Sequence, residues 1–203
     1  MSYGDFKFAF WHPIGPHSGE SASQIIQRKR RQIEANQGWT LWSFQRRRML
    51  KDWYQELAAS AGSEVRVFCS MGDGSTDPGA TPGNQGNLCK SFLFVNDEKT
   101  KWQAIPPEVK VLHPFPPDKT LASAFVVKRV IYPVEAFDRP GVEWYSLKKG
   151  PWRSEMVPTR GEYLIRPGGE NLMRCAKVIL ELKPPYLAEV SSETVLNLKG
   201  SLV

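Results

Sequence analysis

Three groups of side chains in this sequence have types and spacings that could bind or transform a ligand. The first group is His12, His17 and Glu20. Imidazoles and a carboxylate can serve as general acid and base or as zinc ligands, and a histidine near Cys69 could activate its thiol. Their spacing matches no known zinc or nucleophile motif, and histidines before prolines, as at His12, are commonly plain loop residues. We therefore predict no metal and no cofactor, and we keep a small hydrolase or transferase as an alternative.

The second group lies in the loop that precedes a predicted helix. Glycines permit close backbone approach, serines offer hydroxyls and a helix N-terminus offers free amides, so this loop could hold a phosphate. The candidate anion-binding residues are Gly15, Ser18, Gly19 and Ser21. No phosphate-loop or dinucleotide fingerprint is present, so no nucleotide specificity follows. Ser21 and Gln24 also have the spacing of a capping box, which explains the serine without a ligand and predicts a helix from Ala22.

The third group combines cations with an aromatic ring, in a pattern that can hold single strands or flipped bases. Cations contact phosphates, and an indole face stacks on a base. The candidate nucleic-acid-binding residues are Arg46, Arg47, Arg48, Lys148, Lys149, Trp152 and Arg153. Trp42 and Trp53 instead lie on patterns that predict core packing, and arginine triplets are commonly solvated. Trp152 is therefore the tryptophan that we expect at a binding surface.

The positive charge of the chain is concentrated near its start. Residues 1 to 51 hold nine Lys or Arg against three Asp or Glu, whereas the rest of the chain holds 18 of each. A localised positive field attracts nucleic acid, phosphorylated ligands or acidic protein surfaces. A solvated basic helix face that aids solubility would produce the same excess.

Cysteine usage and hydropathy indicate the compartment. The three cysteines are far apart and form no CxxC pair, so reduced thiols in the cytoplasm explain them better than disulfides or a zinc site. No charged leader precedes a hydrophobic run, and no segment approaches the roughly 18 apolar residues that cross a bilayer. We predict a cytoplasmic protein with no membrane partner, and the oligomeric state stays open.

The elements that must position these groups follow from hydrophobic periodicity. Phe6 to Trp11 is the predicted first strand. The helix from Ala22 should lie at the surface with only its isoleucines packed, because Arg28 to Arg31 form a basic run around it. Trp39 to Gln45 is apolar on both faces, so we predict a strand central to the sheet. Spacings of three and four residues from Met49 to Gly62 predict a second helix.

The second half of the sequence is rich in strand patterns. Glu64 to Ser70 and Leu121 to Tyr132 are predicted strands, the latter with Phe125, Val127 and Ile131 on one face and Val126, Val130 and Tyr132 on the other. We expect a loop from Glu143 to Arg153. Glu162 to Arg166 and Cys175 to Leu182 read as paired strands joined through Pro167-Gly168-Gly169, and Pro184-Pro185 should end the pattern.

These elements predict one α+β domain over residues 1–203. It should contain a strongly bent or barrel-like mixed β-sheet with two N-terminal helices packed on its flank. Residues 72–87 are rich in glycine and proline and lack a large hydrophobe, so we expect a mobile loop there. Residues 186–203 should be a loosely docked strand or a frayed tail.

Two of the strand sequences resemble the PUA-like superfamily, in particular its EVE-type members. The segments are EVRVFCS, which starts at Glu64 and ends in a polar turn, and ASAFVVKRVIYPVEAF, which starts at Ala122. The likeness covers about a quarter of the chain. It implies a small mixed barrel whose aromatic-lined cleft binds RNA or modified DNA bases without catalysis. The segment WHPIGPHSGES departs from the family pattern, and we carry over no binding residue.

The leading functional hypothesis from the sequence is a non-enzymatic nucleic-acid-binding module. Its basic N-terminal face would attract phosphates, and its aromatic pocket would accept a base of RNA or a modified, flipped base. The alternatives are an enzyme that uses His12, His17 and Glu20, and a protein-interaction domain whose basic helix docks on an acidic partner.

Overall fold

The structure is a computed structural model, and the chain is described over ten ranges. They are residues 6–16, 20–44, 64–72, 93–95, 102–104, 122–134, 141–146, 150–158, 161–173 and 176–190. Within them the chain forms one helix and ten strands. In chain order these are β1 (Ala9–Ile14), α1 (Ala22–Ala35), β2 (Thr40–Phe44), β3 (Arg66–Met71), β4 (Leu93–Val95), β5 (Trp102–Ala104), β6 (Ala122–Ile131), β7 (Gly141–Ser146), β8 (Gly150–Arg153), β9 (Tyr163–Leu172) and β10 (Val178–Val190).

Eight of these strands form one mixed sheet. Their order is β2-β6-β10-β3-β1-β9-β7-β8, and β4 and β5 form a separate pair. β1 and β3 run parallel, while the other described pairs of the large sheet are antiparallel. The predicted α+β class with a mixed sheet is confirmed. Over the described ranges the sheet is open and does not close into a barrel, because β2 and β8 are edge strands at its opposite ends.

The sheet separates two hydrophobic cores. Side chains alternate between the faces of a strand, so in β1 Phe10 packs on one side and Trp11 on the other. The helix-side core contains Ile26 of α1 with Phe10 and Phe125. The far-side core contains Trp11, Phe68 and Ile179 among other buried residues. Burial of apolar area on both faces is the main stabilising contribution to the sheet.

A β-bulge in β6 changes which face its side chains occupy. Val127 pairs with Leu182 and Arg129 with Glu181, so β6 has one residue more than β10 at this point. Val127 and Val130 consequently both pack in the helix-side core, whereas Ile131 packs against the far-side core. The predicted assignment of Val127 and Ile131 to one face was therefore wrong, because the extra residue reverses the alternation.

Helix α1 begins where the capping box predicted. The Ser21 hydroxyl accepts a hydrogen bond from the Gln24 amide at 3.2 Å, and the Gln24 side chain accepts one from the Ser21 amide at 2.7 Å. The expectation that only the isoleucines pack was wrong. Lys29 is buried, and its amine donates to the Leu41 carbonyl oxygen of β2. The Lys29 amine thus ties the helix to the sheet instead of facing solvent.

The strand from Thr40 lies at the edge of the sheet, which corrects the prediction that it is central. Among the described strands β2 pairs only with β6. Thr40, Leu41 and Trp42 are nevertheless buried. Because α1 lies against β2 on one face, with a 2.8 Å hydrogen bond from Thr40 to Gln32, an edge strand here shows the apolar pattern of a central one.

Three predictions for the second half were also wrong. The segment expected as a loop from Glu143 to Arg153 contains β7 and β8, which pair as an antiparallel hairpin. β9 and β10 do not pair with each other, because β3 and β1 lie between them in the sheet. Pro167-Gly168-Gly169 does not join paired strands, and Pro184-Pro185 does not end the strand pattern. β9 continues through Pro167-Gly168-Gly169 and β10 through Pro184-Pro185, each by a register shift that bulges residues out of the ladder.

Several predictions fall outside the described residues. They concern the second helix from Met49 to Gly62, most of the loop 72–87, and the chain beyond Val190. Within the range predicted as a loosely docked strand or frayed tail, residues 186–190 belong to β10 and pair with β6 from Leu187.

Candidate nucleic-acid interface

Aromatic side chains gather at the β9-β7-β8 end of the helix-side face. Trp152 of β8, Tyr145 of β7 and Phe8, which precedes β1, are half-buried and pack against the helix-side core. The Trp152 ring centre lies 5.6 Å from that of Tyr145 and 6.2 Å from that of Phe8. Helix α1 contacts β6 and β2, at the other end of the same face.

An arginine is stacked on this tryptophan. In β9, Leu164 belongs to the helix-side core and Ile165 to the far-side core, so the alternation directs Arg166 to the helix side. Its guanidinium carbon lies 4.1 Å from the centre of the Trp152 ring. A cation over an indole face is attracted by the ring quadrupole. We call Phe8, Tyr145, Trp152 and Arg166 the aromatic-arginine platform.

Glu143 orients the arginine of the platform. The β7-β9 register places Glu143 opposite Arg166. Its Oε2 atom accepts hydrogen bonds from Arg166 Nε at 2.8 Å and pairs with Nη2 at 2.7 Å. Gly168 leaves room for this carboxylate, since a Cβ there would lie 3.2 Å from Glu143 Cγ. The bulge in β9 thus provides the space for the carboxylate that holds the guanidinium in place.

Of the predicted nucleic-acid-binding residues, the structure describes Trp152 and Arg153, and it places them on opposite faces. Arg153 lies over Trp144, which belongs to the far-side core, with its guanidinium carbon 5.6 Å from the ring centre. It also pairs with Glu155 at 3.6 Å. The two residues therefore cannot contact one base together. Arg46, Arg47, Arg48, Lys148 and Lys149 lie outside the described ranges.

Some of the described tryptophans are buried in the cores, and others are partly exposed. Among those whose side chains the structure describes, Trp11, Trp42 and Trp144 are buried, while Trp39 and Trp152 are half-buried. The core prediction for Trp42 is confirmed. Trp152 is half-buried and packs against the helix-side core, and its role at a binding surface stays a prediction.

The basic run of α1 is largely committed to internal contacts. Arg28 binds Glu20 through Nε and Nη2, at distances of 2.7 to 3.0 Å. Arg30 donates to the carbonyl oxygens of Val130 and Tyr132, and Lys29 is buried against β2. Arg31 is exposed. These contacts leave α1 with less positive charge for a polyanion than its sequence indicates.

Of the predicted catalytic residues, the structure describes His12 and Glu20. Glu20 is bound to Arg28, and His17 lies outside the described chain. His12 is buried on the helix-side face, opposite Cys69 in the β1-β3 register, with Nδ1 3.6 Å from Glu162 Oε1. Burial lowers the pKa of His12 to about 4, and burial raises the pKa of the Cys69 thiol. Near neutral pH this arrangement contains a neutral imidazole and a protonated thiol instead of an activated thiolate.

The predicted anion loop is described only at its ends. Ser21 is the N-cap of α1, so its hydroxyl and amide are both used in the capping box. Gly15 is exposed, with open space where a Cβ would lie. Ser18 and Gly19 lie outside the described ranges. The described geometry therefore accounts for Ser21 through helix capping alone.

Four members of the candidate site escaped sequence analysis, namely Phe8, Glu143, Tyr145 and Arg166. The sequence pattern predicts a loop for Glu143 and Tyr145 and makes Arg166 the last residue before a turn. Their alternation with Val142, Trp144 and Ile165 was a usable signal that they share a face. The cross-strand register that brings Arg166 to Trp152 had no local signal, because the partners come from different strands.

Comparisons with known proteins assign no family to this site. Family models, curated proteins and solved structures all gave no match, so the PUA-like resemblance stays a prediction. Among the described residues no group of three His, Cys, Asp or Glu side chains could hold a metal ion. Likewise, no helix in the described part of the chain is long and apolar enough to cross a bilayer.

Proposed function

We propose that this protein is a non-enzymatic nucleic-acid-binding module that stacks a base of a single strand, or a flipped base, on the aromatic-arginine platform. The observation that supports it most directly is the half-buried Trp152 ring, bordered by two aromatic rings and covered by an oriented guanidinium. Aromatic rings and arginine planes are the surfaces on which unpaired bases stack. The proposal keeps the expected partner, RNA or modified DNA, and needs no cofactor.

Charge supplies the second part of the proposal. The excess of Lys and Arg over residues 1 to 51 favours a polyanionic partner. Arg166 has a side chain that is 39% exposed, so it can contact a phosphate as well as a ring. The PUA-like resemblance adds an aromatic-lined cleft in a bent, barrel-like sheet as the finer architecture of this proposal. Buried His12 and Cys69, neutral and protonated, favour binding over catalysis.

Binding to short oligonucleotides tests this function. The protein is titrated into fluorescent single-stranded RNA, single-stranded DNA and a duplex with a modified base, at low salt and at physiological salt. We expect binding of at least one class, with an affinity that falls linearly in log-log form as salt rises. Arg166→Ala should weaken this binding more than Arg153→Ala, a variant with the same charge change on the other face.

Two results would contradict the proposal. The first is no detectable binding to any of these ligands at low salt. The second is an equal loss in both arginine variants, since this would show general charge attraction without a role for the platform. Salt-sensitive capture of an acidic protein with no nucleic-acid binding would instead favour the protein-interaction alternative.

A further inference from the structure

The contacts that hold Arg166 define the kind of base that the platform can read. Its guanidinium is stacked on Trp152, and Nε and Nη2 present two neighbouring N–H groups to the Glu143 carboxylate. A site with an aromatic face and a carboxylate at its edge therefore accepts a planar group that carries two adjacent donors. Arginine occupies this site within the protein itself.

Guanine is the common base with that pattern. Its N1–H and N2–H₂ groups lie side by side on one edge of an aromatic ring, in the same arrangement as two N–H groups of a guanidinium. Adenine and cytosine place a ring acceptor beside their amino donor, and uracil flanks its single N–H with two carbonyl acceptors. A carboxylate has only acceptors, so it pairs with two donors and is repelled by an adjacent acceptor.

We infer that the platform binds an unpaired guanine, with Trp152 as the stacking surface and Glu143 as the residue that reads the base. This inference rests on the proposed function and names its ligand. In the free protein the Arg166 guanidinium then occupies the place of the guanine edge, and it leaves Glu143 when guanine binds. Guanine N1–H and N2–H₂ donate to the two oxygens of Glu143, and the released guanidinium binds a phosphate of the same strand.

Exposure and space make this exchange feasible. The side chains of Arg166 and Glu143 are 39% and 27% exposed, so their ion pair is accessible to water. Partly exposed ion pairs contribute little net stability, and the pair can open at low cost. Arg166 contacts Glu143 through Oε2 alone, so a ligand with two adjacent donors can use both carboxylate oxygens.

The first test uses the unmodified protein. Its affinity is measured for oligouridine RNAs that carry one central guanosine, inosine, adenosine or cytidine. Inosine keeps N1–H and lacks the N2 amino group, so it isolates one of the two donors. We expect the guanosine strand to bind most tightly, with a loss of about tenfold for inosine and at least as much for adenosine.

The second test uses a matched pair of variants. Glu143→Gln keeps the size of the side chain but replaces one acceptor with a donor, so the preference for guanosine over adenosine should collapse while salt-sensitive binding persists. Glu155→Gln removes the same charge from an exposed residue beside Arg153, on the other face, and should keep the preference. Circular dichroism checks that both variants fold.

The outcomes separate this inference from the proposed function. Salt-sensitive binding of all four strands with equal affinity would overturn guanine recognition and leave the nucleic-acid-binding function intact. The same holds for a preference that survives in Glu143→Gln. No binding of any strand would overturn the function itself. Because the inosine comparison needs no variant, a folding failure of Glu143→Gln would not leave the inference untested.

Discussion

Arg166 of β9 lies with its guanidinium carbon 4.1 Å from the ring centre of Trp152 in β8, although β7 separates the two strands in the sheet. Glu143 of the intervening strand binds the guanidinium, and its side chain lies close to Gly168 in the β9 bulge. The contact between Arg166 and Trp152 thus depends on three strands, β7, β8 and β9, and on the bulge in the β7-β9 pairing.

Removal of that ring should weaken nucleic-acid binding. Trp152→Ala is expected to lower affinity for a single-stranded oligonucleotide by roughly 5- to 150-fold, the range for loss of one base-aromatic stack. Trp152→Phe keeps a stacking face and should lose less. Fluorescence anisotropy at low salt measures both variants, and thermal unfolding confirms that they fold. Equal affinities of Trp152→Ala and the unchanged protein would show that the base lies elsewhere.

His12 should make stability fall in acid. Burial lowers its pKa in the folded protein to about 4, against 6.5 in an unfolded chain. The unfolded chain therefore takes up a proton between pH 6.5 and about 4 that the folded chain refuses. The free energy of unfolding should drop across this window by up to about 3 kcal/mol, and His12→Gln should remove that part of the slope.

Urea unfolding above pH 6.5 and near pH 4 measures the slope for both proteins. Other ionisable groups, common to both proteins, also respond to acid, so the difference between the two proteins is the relevant quantity. Nuclear magnetic resonance can follow the three imidazoles of the chain directly. An imidazole of His12 that titrates near its ordinary pKa would contradict the prediction.

Ser21 should contribute to helix stability and not to anion binding. Ser21→Ala removes the side-chain acceptor of the capping box and should cost about 1 kcal/mol of unfolding free energy. Ser21→Asp keeps an acceptor at the N-cap and should recover most of it. Denaturant unfolding with and without inorganic phosphate measures the effect. If phosphate stabilised the unchanged protein and not Ser21→Ala, the anion-loop hypothesis would gain over capping alone.

Gly141 should tolerate no side chain. A Cβ at this position would lie 2.2 Å from the Gly169 carbonyl oxygen, so the backbone of the β9 bulge would have to move. We expect Gly141→Ala to cost roughly 1–3 kcal/mol by overpacking. Gly15→Ala, which places its methyl in open space, should change stability by less than about 0.5 kcal/mol. Similar unfolding midpoints for the two variants would be inconsistent with this geometry.

Local chemistry in the sequence predicted local structure well. The Ser21-Gln24 pair predicted the start of α1, and the pattern of Glu64 to Ser70 predicted a strand where β3 lies. These signals succeed because capping and alternation involve residues close together in the chain. The strand patterns also sufficed for the α+β class.

The hydrophobic pattern of the sequence could not predict which distant segments pair in the sheet. The buried edge strand β2 looks central because α1 covers it, and the prolines in β9 and β10 look like turns because bulges and turns share residue types. The aromatic-arginine platform could not be predicted from the sequence for the same reason. Glu143 and Arg166 meet through register, and register is set by the whole sheet.

The sheet order places β1 between β3 and β9, and β10 between β6 and β3. During synthesis on the ribosome, β1 emerges first among these strands and its partner β3 follows early, whereas its other partner, β9, is made much later. Until Val178–Val190 is available, β3 and β6 cannot be joined. We therefore expect nascent chains that stop before β10 to expose unpaired strand edges and to depend on chaperones, even where every earlier strand is present.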